Sequence, residues 1–357
     1  MTPLSSEQFL ENYINNPSPT GFEVKGQQLW LEYVKPFTDS WELDDYGTAF
    51  AVINPGQDYR VVIEAHADEI SWFVNYITDN GLIHVIRNGG SDHQIAPSKR
   101  VNIFTDKGIV KGVFGWPAIH TRSSTAEDPK LSIENLFVDV GAKDKEEVGK
   151  LGIHVGCVMT YEDDFFVLNE NYYVGRALDN RLGGYCIAEV ARRIKENKIE
   201  LPYSLYIVNA VQEEVGLHGA EMIARRIKPN AAIVIDVTHD TSTPHMNKKK
   251  DGDVKCGDGP GITHAPSVHQ KLLRLVTDAA MVNGIPFQRQ ASSRATGTDT
   301  DAFAYSNQGV PTVLISIPLR YMHTTVEMAH KQDVENVIQL MIHSLGKIEK
   351  NHNFKYF

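Results

Sequence analysis

Four short apolar, β-branched runs in this chain each lead into acids or histidine, and that recurrence restricts the fold more than any other feature of the sequence. YRVVIEA is followed by His66-Ala67-Asp68, and SLYIVNAVQ by Glu213-Glu214. AAIVIDV carries Asp236 near its end, and TVLISIPLRYM leads to His323. Between and after these strand-like runs the period changes to that of helices, over 180–197, 219–226, 268–283 and 332–347. Alternating strands and helices predict an α/β domain in which helices cover a central sheet. In such sheets functional side chains collect at the carboxyl ends of the strands, where they leave the packed core. The same edge should therefore receive all four groups. A fifth acid, Asp179 in VGRALDNRLGG, stands just before a predicted helix.

The stretch from about 72 to 165 has another texture. SWFVNYIT, LIHVIR, RVNIFT, GIVKGVFG, LFVDVG and CVMTYE are short β segments divided by Gly, Asn and Asp turns, with little helical periodicity. That pattern predicts a small all-β, barrel-like module inserted into the α/β domain. The expected division is 1–71 plus 166–357 for the α/β part and 72–165 for the insert. Two helices are expected before the first strands, at 8–15 and 23–34, with a Pro- and Gly-containing break at 16–21. The polar, Lys- and Gly-rich loop at 238–263 is long enough to expect function or mobility there.

His66, Asp179, Glu214, Asp236 and His323 make two imidazoles and three carboxylates, a mixed set suited to zinc, cobalt or manganese. Five protein donors exceed what one open catalytic ion takes. They suit two ions about 3.5 Å apart that share a carboxylate and a water. Asp68 lies two residues past His66 on an extended chain, so it returns to the same side and can orient the imidazole. Of Glu213 and Glu214, one would ligate metal and the other act as general base, provided the chain turns both toward the site. His239 and His245 are candidates for the pocket wall.

Composition narrows the alternatives. A formal charge of −10 gives no basic surface for nucleic acid or an anionic membrane. Cys157, Cys186 and Cys256 are three dispersed cysteines, which suggest neither a disulfide framework nor a thiolate metal site. The first residues lack the basic and apolar regions of a signal peptide, so a reducing cytoplasm is expected.

HADE, ALDNRLGG, VQEEVGLHGA, IDVTHD, GDGP, GTDTDAF and ISIPLRYMHTTVE together resemble the M42 family of metallo-aminopeptidases, in the right order over nearly the whole chain. The resemblance implies a layered, zinc-peptidase-like catalytic domain that removes N-terminal residues from peptides with two divalent ions, zinc or cobalt, manganese being possible. It implies that His66, Asp179 and Asp236 bind one ion and Asp179, Glu214 and His323 the other, with Glu213 as general base and Asp68 orienting His66. It also implies a cis peptide after Asp179, and an insert that mediates dimers, which assemble into hollow dodecamers. The loop Ser293–Ala302 departs from the family pattern at polar positions, which bears on side-chain preference.

Three other readings compete. A deacylase or carboxypeptidase of the same site design would need an arginine for a substrate carboxylate, for which Arg294 and Arg320 are candidates. A glycosidase would need two carboxyls about 5 to 9.5 Å apart without a metal pair, and sugar-stacking aromatics. Trp30, Trp41, Trp72 and Trp116 all lie far from the proposed ligands in sequence. A non-enzymatic assembly protein would be expected to have lost a ligand, and none of the expected types is missing.

Overall fold

The computed structural model describes residues 4–121 and 131–357. Its larger part is built on an eleven-stranded mixed sheet. At the centre, Ser204–Ala210, Arg60–His66, Ala231–His239 and Thr312–Arg320 run parallel in that order. Ala49–Ile53 and Ser40–Leu43 extend one side as antiparallel neighbours. Glu327–His330, Tyr172–Gly175 and Phe166–Leu168 extend the other. Val61, Val62, Ile63, Ile233, Val234 and Ile235 are wholly buried, as strands covered on both faces must be.

Alternation along Arg60–His66 shows that helices lie on both faces. The Cβ of Ala65 abuts Gly183 of the helix Leu178–Glu196, whereas Glu64 meets Asp299 of the helix Asp299–Ala304. Ser6–Asn15 and Val24–Val34 pack on Leu178–Glu196, as does Lys331–Leu345. His218–Ile227 packs with Asp299–Ala304. Ser5 starts the first helix through a capping box with Gln8, which satisfies two otherwise free N–H groups.

Residues 71–161 supply six further strands: Ser71–Ile77, Ile83–Asn88, Arg100–Thr105, Gly108–Phe114, Val138–Asp139 and Val158–Tyr161. They close into an antiparallel barrel. Its interior is a separate cluster with Trp72, Val74, Ile103, Phe114 and Met159, in which Trp72 and Phe114 meet edge to face at 5.7 Å. A short helix, Lys145–Lys150, begins where the Asp144 side chain accepts from the Glu147 N–H at 2.8 Å. Helical periodicity over six residues is too brief to read against the surrounding β pattern.

The loop expected at 238–263 is more ordered than its composition suggests. Asp240 is buried and accepts from the Ser242 and Cys256 N–H groups, and Lys248–Asp251 forms a turn of helix. The helix read as starting at 180 begins at Leu178, with Asp179 and Asn180 in non-helical conformations.

Candidate metal centre and active site

Parallel pairing sets Ala210 beside His66, so the strands Ser204–Ala210 and Arg60–His66 end level with one another. Past Ala210 the chain turns at Gln212, whose φ of 58° breaks the strand alternation. The N–H groups of Glu213 and Glu214 then both donate to the buried Asp68 carboxylate, at 3.0 and 3.2 Å. Asp68 also accepts from the Thr20 hydroxyl at 2.9 Å, and its Oδ1 lies 3.3 Å from His66 Nδ1. One carboxylate thus fixes both glutamates and the histidine.

On the other face of the imidazole, His66 Nε2 lies 3.2 Å from Asp179, 3.8 Å from Asp236 and 3.9 Å from Glu213. His323 Nε2 lies 3.2 Å from the second oxygen of Asp179 and 3.5 Å from Glu214. Asp179 therefore stands between the two histidines. Its peptide bond to Asn180 is cis, and the Asn180 side chain donates to the Ile235 carbonyl at 2.6 Å. Ligand atoms of His66, Glu213 and Asp236 fall within 4.8 Å of one another, as do those of His66, Asp179 and Glu214. Either set could hold a metal ion. Both differ from the partition implied by family resemblance: in the first Glu213 stands where Asp179 was expected, and in the second His66 stands where His323 was expected.

Glu327, missed in the sequence, belongs to the same centre. Wholly enclosed, it accepts from the Asp179 N–H at 3.0 Å and from the His323 N–H at 2.7 Å, and so ties the two together. Its place four residues after His323 was the available signal. Glu64 and Asp299, also missed, are buried against each other behind His66. Glu69 pairs with Arg176, and the enclosed Arg181 guanidinium lies 4.0 Å over the Tyr13 ring.

The centre is acidic beyond what its imidazoles balance. Burial, with Asp236, Asp299 and Glu214 adding to it against the pull of His66, pushes Glu213 up to about 10. Burial and Asp179 push Glu214 up to about 7. Burial works against a charged imidazole, yet Asp179 and Glu214 hold His323 up at about 11. His66 is likewise held well above its ordinary value, against burial, by Glu213, Asp179, Asp236 and Asp68. Desolvated carboxylates at such density demand cationic partners. With N and O donors of this kind, zinc, cobalt or manganese fits the chemistry of the residues present.

A cavity of about 270 Å³ opens on Asp179, Glu213, Glu214, Asp236 and His323, and His239 forms part of its far wall. His245 does not line it. Neither arginine candidate does: Arg320 donates to Asp240 at 2.8 Å, and Arg294 is exposed elsewhere on its loop.

Residues 47–340 match the model of the M42 glutamyl aminopeptidase family. The lysyl aminopeptidase of Pyrococcus furiosus is 32% identical over 93% of this chain and 94% of its own. A TET aminopeptidase from a marine-sediment thaumarchaeon superposes with a TM-score of 0.91 at 29% identity, covering 96% of each chain. The TET1 peptidase of Pyrococcus horikoshii, which can assemble into a tetrahedron or a large octahedral shell, gives 0.83 at 30% identity over 95% of this chain and 98% of that one.

Proposed function

From a chain that belongs to the M42 glutamyl aminopeptidase family, and is accordingly an aminopeptidase and a hydrolase, we infer a two-metal enzyme that removes N-terminal residues from peptides at the His66–His323 centre. The carrying observation is that His66, Asp179, Glu213, Glu214, Asp236 and His323 meet at one sheet edge beside an open cavity. We assign His66, Asp179 and Asp236 to one divalent ion and Asp179, Glu214 and His323 to the other. Such a pair, when bound, lowers the pKa of a shared water and polarises the scissile carbonyl.

The chain's own residues do the rest. Glu213 receives the proton of the attacking water and returns it to the departing amine, the work of a general base that then acts as acid. Asp68 sets the His66 ring through Nδ1 and holds the Glu213 backbone, so base and ligand keep a common frame. Glu327 does the same for Asp179 and His323.

The carboxypeptidase or deacylase reading is disfavoured, because no arginine among the described residues lines this cavity and Arg176, beside a smaller cavity at Asp179, Glu214 and His323, is paired with Glu69. We further propose a homo-oligomer that pairs through the 72–165 barrel, whose surface exposes Tyr76, Ile86, Ile109 and Val113. Shell assembly of a similar TET1 peptidase supports that reading. Among the described residues no helix is long and apolar enough to cross a membrane. We place the enzyme in the cytoplasm, acting on peptides.

The test is hydrolysis of aminoacyl-p-nitroanilides by chelator-stripped enzyme reloaded separately with Zn²⁺, Co²⁺ or Mn²⁺. Metal-dependent release from free-amine substrates, and none from N-acetylated ones, is expected. Turnover confined to N-acylated or C-terminal substrates would refute the reading.

A further inference from the structure

The wall of the active-site cavity that faces the carboxylates carries no full charge. Residues 237–239 and 296–298 and Met322 complete the lining beyond the candidate metal centre. They comprise threonines, a valine, a glycine, a methionine and the exposed His239, with no Lys, Arg, Asp or Glu.

Of the nearby loop cations, Lys248 pairs with Asp253 at 2.7 Å and Arg320 with Asp240 at 2.8 Å, and the exposed Lys249 and Arg294 stand outside the lining. Asp301 accepts from the Thr296 and Gly297 N–H groups at 2.7 and 3.2 Å through one carboxylate oxygen, its other oxygen being buried, and so shapes this wall from behind. Thr238 is fixed by the Gln290 amide at 2.5 Å, and the Thr296 and Thr298 hydroxyls meet at 2.9 Å.

We propose that this wall receives the side chain of the substrate's first residue and selects uncharged side chains, excluding both acidic and basic ones. The inference rests on the aminopeptidase reading above. An acidic side chain would leave water for a wall without a cation. The ammonium of a lysine would find no carboxylate on the wall, since the four in the cavity belong to the candidate metal centre. A charge moved from water into such a site without a partner is strongly disfavoured. The Met322 chain, Val237 and the threonine methyls offer contact to an aliphatic or thioether side chain instead. This preference differs from the glutamyl one in the family's name and the lysyl one in the name of the similar Pyrococcus furiosus enzyme.

The experiment compares kcat/KM for Leu, Met, Glu and Lys p-nitroanilides at pH 8. Glu and Lys are expected about 100-fold below Leu. Either one within tenfold of Leu would overturn the proposal. Calorimetric titration with the free amino acids gives a second readout, in which leucine is expected to bind and glutamate and lysine not. Equal binding of all three would count against it.

Thr296→Lys supplies the missing cation and should raise the Glu-to-Leu ratio at least about tenfold. Met322→Lys reads the same wall should the first variant not fold. An unchanged ratio in a folded variant would show that the side chain is received elsewhere. Hydrolysis of none of the four substrates by any metal form would refute the aminopeptidase reading rather than this one.

Discussion

Gly90→Ala tests whether the barrel shapes the proposed metal centre. Gly90 follows the barrel strand Ile83–Asn88, far in sequence from every proposed ligand. A Cβ built there would lie 2.6 Å from His323 Nδ1 and 2.7 Å from its Cε1. Ordinary contact begins at 3.4 Å, so the ring must retreat by about 0.8 Å, the difference between 3.4 and 2.6 Å. It cannot do so with its backbone, because the His323 N–H is held by Glu327 at 2.7 Å. The imidazole must therefore rotate away from Asp179 and Glu214.

Metal–ligand distances tolerate only about ±0.2 Å. Affinity for the ion at His323 should fall about 10- to 100-fold, and kcat/KM by about 100-fold, the scale of a 1 Å misplacement. Global stability should hold or rise slightly, since Gly90 lacks the positive φ that makes alanine costly. Metal content after dialysis against graded Zn²⁺ or Co²⁺ reads the first effect, nitroanilide hydrolysis the second and urea unfolding the third. Wild-type metal affinity and full activity in the variant would refute the reasoning. A general loss of stability would show a packing defect instead.

Other substitutions probe separate links. Glu213→Gln should keep both ions and lower kcat about 10²- to 10⁴-fold; lost metal in elemental analysis would make Glu213 a ligand rather than the base. Asp179→Ala, which removes the carboxylate between the two histidines, should cost metal occupancy first. Arg181→Ala removes a wholly buried guanidinium from Tyr13 and from the Asn16 carbonyl at 2.6 Å. It should lower unfolding stability by about 3–5 kcal/mol, and a urea midpoint within error of wild type would contradict that.

Burial, and then the charge of Asp68, raises Glu23 to about 7, above its value in an unfolded chain. Its stabilising contribution is complete below about pH 4.5 and lost as pH rises through about 7, at most about 3 kcal/mol. Glu23→Gln should therefore gain on wild type between pH 5 and 8 in urea unfolding, and parallel curves would sink the idea.

Much of this site is readable in one dimension because its signals are local. A β-branched run names a strand, its end names an edge, and a two-residue spacing puts His66 and Asp68 on one side. The fold class, the five candidate donors and the β texture of the insert follow from patterns shorter than about ten residues.

What the tertiary structure alone decides is how groups far apart in sequence are aimed. Both glutamates reach the centre because Gln212 takes a left-handed conformation and Asp68, 145 residues from Glu213, captures their N–H groups. His323 is aimed by its own positive φ, by Glu327 and by the flank of Gly90. Glu327 and the Glu64–Asp299 pair look like ordinary acids in the sequence. Only their burial distinguishes them, and burial belongs to no residue until the sheet, its helices and the barrel have closed around it.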